Sequence, residues 1–505
     1  MSGVHLVWFK RDLRVHDHAA LLAAMASGAP VIPLYIFEPG YWAEPELSRR
    51  QFDFLLESLH ELDAALLARG SRLMVRTGDA VDVLTALHRD HGIEAIHAHE
   101  EAGLQWSLGR DRQVHRWARN AGISIREQAS PAARWESYMA APRGKAPEAI
   151  RSPALGAPEW PLPEDFGLGA DDCPARQPGG RSAGVECLRA FLDAGGKAYA
   201  EGLIHPRAGA ELSSRLSAHL AFGTVSLREA WQGARRAQAL HTAQGDTDAA
   251  AALDAFLARL SLHGDCLRML QDQTSLDGRN LQPAHDGVRP LADPGDPRLV
   301  AWIEGRTGFP FLDASLRALK ATGWLNYQTR AMVMGFVSHH LWLDWRLPAE
   351  RIAARFTDFE PAIHYAQARM QAAATGAEAP RVFNPVKQSV LQDPDGAFIR
   401  QWVPELARLP NAFLHAPWEA PPEFLSAAGV VLGQTYPMRI VDHMAAANEA
   451  RTRIAAVRRE NAPSAAADDF KARLGVRRRP AVRRASPKPA PSNQLALDLG
   501  LTHAS

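Results

Sequence analysis

The chain is poor in the features that mark secreted, metal-held or membrane-borne proteins. Only three cysteines, Cys173, Cys187 and Cys266, occur in 505 residues, far apart and with no C-x-x-C spacing. That disfavours a cysteine-held zinc or iron–sulfur site, so no metal is expected, and it points to the cytoplasm. Charge of one sign is not in excess either. Lys+Arg total 57 against 56 for Asp+Glu, so a nucleic-acid partner requires a local basic surface. The opening MSGVHLVWFKRDLR meets Lys10 and Arg11 too soon for a signal peptide. The most apolar helical stretch, Trp324 to Trp345, carries Gln328, Arg330, His339, His340 and Asp344. A membrane span does not tolerate that load, so the stretch reads as a core helix and no membrane contact is expected. No G-x-G-x-x-G follows the first apolar run, which leaves a nicotinamide-type site without support.

What is present is organised in blocks. VHLVWF (4–9), VIPLYIF (31–37), RLMVRTG and IEAIHAH alternate with helix-like AALLAAMASG and VDVLTALHRDHG. Such alternation predicts a parallel α/β sheet over residues 1–135. Residues 136–184, rich in Pro, Gly and Ala, read as a linker. Helical patterns dominate 185–470, which predicts a second, all-α domain. The last block, 471–505, contains RRRPAVRRASPKPAPSN, a basic Pro-rich composition that reads as disordered.

Ser213-Ser214-Arg215-Leu216-Ser217 precedes a helical AHLAFG. Hydroxyls and free N–H groups at a helix start suit a diphosphate, although serine is also an ordinary helix cap. Farther on come Gly305-Arg-Thr-Gly308-Phe-Pro310-Phe-Leu-Asp313 with Thr322-Gly323-Trp324. They are followed by Arg381-Val-Phe-Asn384-Pro385, Gly396-Ala-Phe-Ile-Arg400-Gln-Trp402-Val-Pro404-Glu405-Leu406, His415-Ala-Pro417-Trp418 and Tyr436-Pro437. This ordered series, with Val7-Trp8-Phe9-Lys10-Arg11-Asp12-Leu13-Arg14 at the start, resembles the DNA photolyase and cryptochrome family. The resemblance runs to about residue 460.

The resemblance implies an α/β antenna-type domain, a helical domain holding a U-shaped FAD, and a monomer. Tyr199 and Ser213 to Ser217 match the adenine–phosphate segments. Arg330 and Asp358 match an ion pair beside the isoalloxazine, where a buried charge needs a partner. Glu360 stands where an Asp is frequent. The position facing flavin N5, usually Asn, falls on His364, or on Tyr365 if the register slips by one. A histidine there is expected to titrate near neutral pH. His99, Glu100 and Glu101 followed by Arg110-Asp111 resemble the antenna segment, so Glu100 or Glu101 is a candidate to hold a folate, with a deazaflavin as the other antenna candidate.

Several positions depart from the family pattern. The Glu and Trp that face a cyclobutane dimer from one helix are replaced by Arg259 and Leu262. Tyr327 replaces an Asn, and the 324–331 stretch lacks the histidines of (6-4) photolyases. Of the three tryptophans that usually carry electrons to the flavin, Trp345 matches the middle one. The proximal position falls on Ala368, Arg369 or Met370, and the distal one has no match in 285–300. Trp324, Trp342 and Tyr365 are the remaining candidates for an electron path.

The expected activity is light-driven splitting of pyrimidine dimers by reduced FAD, by a deoxyribodipyrimidine photo-lyase. Arg259, Tyr327 and His364 would serve catalysis, with Arg381 and Lys387 on a DNA-binding rim. The alternative is a cryptochrome-like photoreceptor without repair, which the changed pocket favours. Gln494 to Leu499 (QLALDL) resembles the peptides with which bacterial repair proteins dock on the sliding clamp.

Overall fold

The computed structural model describes residues 3–461 except 130–133, 195, 197, 273–277 and 376–380, together with 464, 465, 467 and 468. The basic tail 471–505 and its Gln494–Leu499 peptide lie outside the described residues. No described helix is long and apolar enough to cross a membrane.

The alternating apolar runs form five parallel strands: β1 (Val4–Phe9), β2 (Val31–Phe37), β3 (Met74–Thr77), β4 (Ile93–His99) and β5 (Ser124–Gln128). They are ordered β3-β2-β1-β4-β5. Helices Ala19–Ala26, Arg49–Leu67, Ala80–His91 and Gln105–Ala121 make the crossovers. β2 is buried along its whole length and β1 along all but its first residue, as expected for a parallel sheet covered on both faces. The chain leaves β1 in one direction and returns through β4 in the other. That reversal opens a crevice at the carboxyl ends of β1 and β4, where such sheets place ligands.

A second, helical unit follows from Arg181 to Glu460. At its centre lies the Tyr327–His339 helix, buried at every position from Ala331 to His339 and packed by Pro310–Thr322, Arg346–Ala353, Pro361–Gln371 and Pro385–Gln392. The apolar 324–345 stretch is therefore not one helix. It stops at His339, turns at Trp342 with φ 54°, and a new helix starts at Arg346. The Gly305–Asp313 sequence has a clear structural basis. Buried Asp313 accepts hydrogen bonds from Thr307 N (2.7 Å), Thr307 Oγ1 (2.6 Å), Gly308 N (3.0 Å) and Tyr436 Oη (2.7 Å). Gly308 has φ +79°, and a Cβ there would lie 2.5 Å from the Met438 backbone. Only glycine fits that approach.

Donors from the α/β unit cap backbone carbonyls of the helical one along the seam between the units. Arg11 donates to Ala221 O (2.9 Å) and Phe359 O (2.6 Å), and Arg14 to Gly223 O (2.8 Å). Gln51 Nε2 donates to Ala353 O (3.2 Å) and Phe356 O (2.9 Å). Arg50, 1% exposed, pairs with Asp171 and donates to Leu319 O (3.2 Å) and Arg355 O (2.7 Å). The 141–180 segment is itself pinned, since Ile150 N donates to Arg69 O and Val31 N to Arg151 O.

Replacing Arg50 with Met leaves Asp171 without its ion-pair partner and Arg355 O without its donor, while Leu319 O keeps the hydrogen bond from Gly323 N. Denaturant unfolding is expected to show a loss of about 3 kcal/mol. Acid is a second stress on the fold. Burial lowers His219 and His340 to about 4 and His339 to about 3, against 6.5 for the free side chain. Between pH 6.5 and about 4 the unfolded chain binds protons that the folded chain refuses, so stability falls as pH drops through that window. A melting temperature flat from pH 7 to 4 would contradict this.

Candidate functional site

The helical unit opens into a cleft of about 1530 Å³, part of it open to solvent. Its walls come from the Thr247–Asp272 helix, the 199–217 segment, the start of the Tyr327–His339 helix and the 352–371 segment. It gathers Tyr199, Ser213, Ser214, Arg215, Leu216, Ser217, Arg259, Trp324, Tyr327, Arg330, Asp358, Glu360 and His364 into one space. Trp345, Arg381 and Lys387 are not in its lining.

The serine cluster occupies the break between the Pro206–Leu212 and Ser217–Ala221 helices. Ser213 Oγ and Ser217 Oγ are buried and, among the described residues, have no hydrogen-bond partner. Ser71, Ser107, Ser152 and Ser338 also bury such hydroxyls, but the pair at 213 and 217 lines the cleft, where a polar ligand can complete it. Arg215 between them holds φ +53°, a conformation that costs a non-glycine residue about 1–2 kcal/mol. Its carbonyl accepts from Gln177 Nε2 (2.8 Å), and its guanidinium lies 4.2 Å from the Trp324 ring centroid. Tyr199 stands edge-on to Phe191 and Phe256, 5.5 and 5.8 Å away, and burial pushes its hydroxyl up to about 12.

Arg330 and Asp358 form the expected ion pair, NH2 to Oδ2 at 2.6 Å. Arg330 also donates to Leu325 O (2.8 Å) and lies over Phe356, 4.2 Å from its centroid. The second carboxylate oxygen of Asp358 is buried and, among the described residues, has no hydrogen-bond partner. Glu360 is pushed up to about 7 by burial. Arg11, at 3.9 Å, opposes this but stands beyond hydrogen-bond distance. His364 differs from expectation. Its Nε2 lies 2.8 Å from Ala349 O, so Nε2 carries the proton and donates it. Burial lowers the ring to about 4. The residue is a fixed neutral imidazole near neutral pH, because desolvation outweighs the nearby Asp358.

Arg259 lies over the Tyr327 ring, 4.0 Å from guanidinium carbon to ring centroid. Among the described residues it has no carboxylate partner, so its N–H donors remain available to the cleft. Leu262 lines the same wall. Sequence reading missed His263, Cys266, Asn326, Gln367 and Gln371, all of which face the cleft. Helical spacing carries the signal for most of them: from Arg259, i+4 is His263 and i+7 is Cys266, and from His364, i+3 is Gln367 and i+7 is Gln371. Asn326 caps its helix by accepting from Thr329 N (3.2 Å) and donates to Gly202 O and Leu203 O (3.2 Å each). It thereby ties two walls together. Trp345 is buried behind the cleft, 6.3 Å centroid to centroid from Tyr365. Lys387 is exposed on the Pro385–Gln392 helix, and Arg381 is exposed just before it.

A smaller crevice between the units is lined by Lys10, Arg11, Asp12, His99, Glu100, Glu101 and Glu360. There Asp12 Oδ2 lies 2.6 Å from His99 Nδ1 and 2.9 Å from His18 Nε2. His18 Nδ1 accepts from Leu21 N. Asp12 thus sits between the two imidazoles, hydrogen-bonded to His99 and in close charge contact with His18, and braces the strand ends. Glu101 is tied by Arg110 at 2.7 Å.

The cleft fits the dinucleotide that the sequence implies. Orphaned hydroxyls stand in the segment matched to its phosphates, an ion pair stands at the position matched to its ring system, and aromatic and aliphatic walls lie between. Residues 256–456 match the family model described as the FAD binding domain of DNA photolyase, and residues 5–137 the one described as DNA photolyase. A deoxyribodipyrimidine photo-lyase of Agrobacterium fabrum is 31% identical over 489 residues, covering 90% of this chain and 98% of its own length. A cryptochrome DASH of Gloeobacter violaceus is 30% identical over 496 residues, covering 88% and 95%. The solved structure of a bacterial class III photolyase from Agrobacterium tumefaciens superposes with a TM-score of 0.79 at 28% identity, over 91% of this chain and 98% of that one.

Replacing Asp358 with Ala leaves Arg330 without its counter-ion in the cleft wall. FAD affinity, read by fluorescence titration of the apoprotein, is expected to fall about thirtyfold, or about 2 kcal/mol. Asp358→Asn, which keeps an acceptor, should lose less.

Proposed function

From the premise that the chain belongs to the DNA photolyase and cryptochrome family, we propose that it is a light-driven repair flavoprotein acting on cyclobutane pyrimidine dimers in DNA. FAD, when bound in its reduced form, supplies a photoexcitable electron donor to the dimer. The chain's own residues bind, orient and exclude water. Ser213 and Ser217 complete their hydrogen bonds on the diphosphate, while Arg330 and Asp358 hold the ring system and its local charge. His364, neutral and anchored to Ala349 O, presents an uncharged ring to the cleft and adds no proton of its own.

The observation that carries the repair reading is the Arg259–Tyr327 stack. Aromatic contact holds the guanidinium without consuming its donors. Those donors can reach the carbonyl oxygens of a dimer flipped out of the duplex, from a position at which family members hydrogen-bond a thymine through a Glu. Arg381 and Lys387 supply exposed cationic groups for the flanking phosphates, a salt-sensitive and sequence-independent contribution. The crevice with Lys10, His99 and Glu100 is the proposed seat of an antenna pigment, a folate or a deazaflavin. The second reading, a cryptochrome-like photoreceptor, is favoured by Leu262, which offers a dimer no aromatic face to stack on.

One assay separates the two. Reduced, FAD-loaded protein is mixed with a dimer-containing oligonucleotide and exposed to blue light or kept dark. Restoration of intact thymines under light alone is expected, and flavin photochemistry without restoration would overturn the repair reading. Arg259→Ala should weaken binding to the dimer oligonucleotide about tenfold, or about 1.4 kcal/mol, and leave undamaged DNA unaffected.

A further inference from the structure

The three positions at which a proximal tryptophan would stand hold Ala368, Arg369 and Met370, none of which relays an electron as an indole does. One aromatic ring nevertheless connects the cleft wall with buried Trp345. Tyr365, 3% exposed, lies 5.3 Å from the ring of His364 and 6.3 Å from that of Phe359, both of which line the cleft. On its other side it is 6.3 Å from Trp345. The indole N–H of Trp345 donates to Asn280 Oδ1 (2.8 Å).

A phenol differs from an indole in one decisive respect. Near neutral pH a tyrosine holds its hydroxyl proton (ordinary pKa about 10) and can be oxidised readily only if that proton has somewhere to go. The seam supplies such a place. Tyr365 Oη donates a short hydrogen bond to Glu46 Oε1, across 319 positions of sequence. Glu46 is buried, in the turn ahead of the Arg49–Leu67 helix. Its other oxygen, Oε2, is buried and among the described residues has no partner, and burial raises its affinity for a proton. A carboxylate left half-satisfied in the interior is costly, and a simple tether between the units would need only a neutral acceptor.

We propose that Tyr365 and Glu46 form a proton-coupled electron relay behind the cleft. In the forward step the Oη–H bond breaks and the Oε1–H bond forms. One electron leaves the phenol for the photoexcited oxidised flavin, leaving a neutral tyrosyl radical. A thiolate in solution then gives up one electron by way of Trp345, and the proton returns from Oε1 to Oη. The relay rests on the reading of the cleft as a flavin site and concerns how the flavin becomes reduced, not what the reduced form then repairs.

The test uses full-length, FAD-loaded protein with an added thiol. In the intact protein, time-resolved absorption after a blue flash should show a neutral tyrosyl signal whose formation slows in D₂O. Tyr365→Phe should abolish that signal. Glu46→Gln, which keeps an acceptor but cannot take the proton, should slow its formation about tenfold or more and remove the isotope effect. FAD content and melting temperature serve as controls for folding. If Glu46→Gln fails to hold FAD, the isotope effect in the unaltered protein decides the matter. A radical that is purely tryptophanyl, or a tyrosyl signal insensitive to D₂O, would overturn the proposal. Dimer repair by chemically pre-reduced protein should persist in both variants. Loss of repair in the unaltered protein with an intact tyrosyl signal would overturn the repair reading and leave the relay standing.

Discussion

A buried backbone carbonyl must find a donor, and along the seam between the two units this requirement governs the geometry of everything else. Arg11 serves two such carbonyls at once. Ala221 O ends the short helix that begins at Ser217, and Phe359 O lies between Asp358 and Glu360. One guanidinium therefore fixes the distance between the serine side of the cleft and its acidic side. Gln51 and Arg50 do the same for the turn at 353–356 and for the end of the Pro310–Thr322 helix. The α/β unit adds little lining to the main cleft, yet it sets where the opposite walls stand.

Within those walls, desolvation outweighs local charge. His364 and His263 are both lowered to about 4, and Glu360 is raised to about 7 although Arg11 stands nearby. All three of its arginines lie on aromatic rings, Arg215 on Trp324, Arg259 on Tyr327 and Arg330 on Phe356, and of these Arg330 also has a close carboxylate. Guanidinium groups held by rings keep their donors, whereas those held by carboxylates spend them. The cleft is thus rich in fixed donors, its histidines are held neutral and Glu360 alone among these three groups is brought to about 7, which suits chemistry carried by a bound cofactor.

The parts legible in the sequence were those encoded by neighbours in the chain. Strands β1, β2 and β4 announce themselves as short apolar runs, and Arg330, Asp358 and the serine cluster sit inside recognisable series. What could not be read depends on pairs far apart. Nothing local to Glu46 signals Tyr365, and nothing near Arg11 signals Phe359 O. The tautomer of His364 depends on Ala349 O, an acceptor one helix away that has no sequence signature at all. The break at Trp342 was hidden for a different reason: its left-handed backbone is imposed by packing on a residue with no preference for it.

Backbone carbonyls belong to every residue, whatever its side chain. Because the helical unit contributes mainly carbonyl oxygens to the seam, substitutions at Ala221, Phe359, Leu319 or Arg355 keep the acceptor in place even as the side chain changes. In these contacts the donor lies with the α/β unit, whereas Ser226, Arg228 and Tyr365 donate in the other direction, to Asp17 and Glu46. A wall anchored through its backbone leaves the side chains that line the cleft free to vary, while the scaffold that holds them goes unchanged.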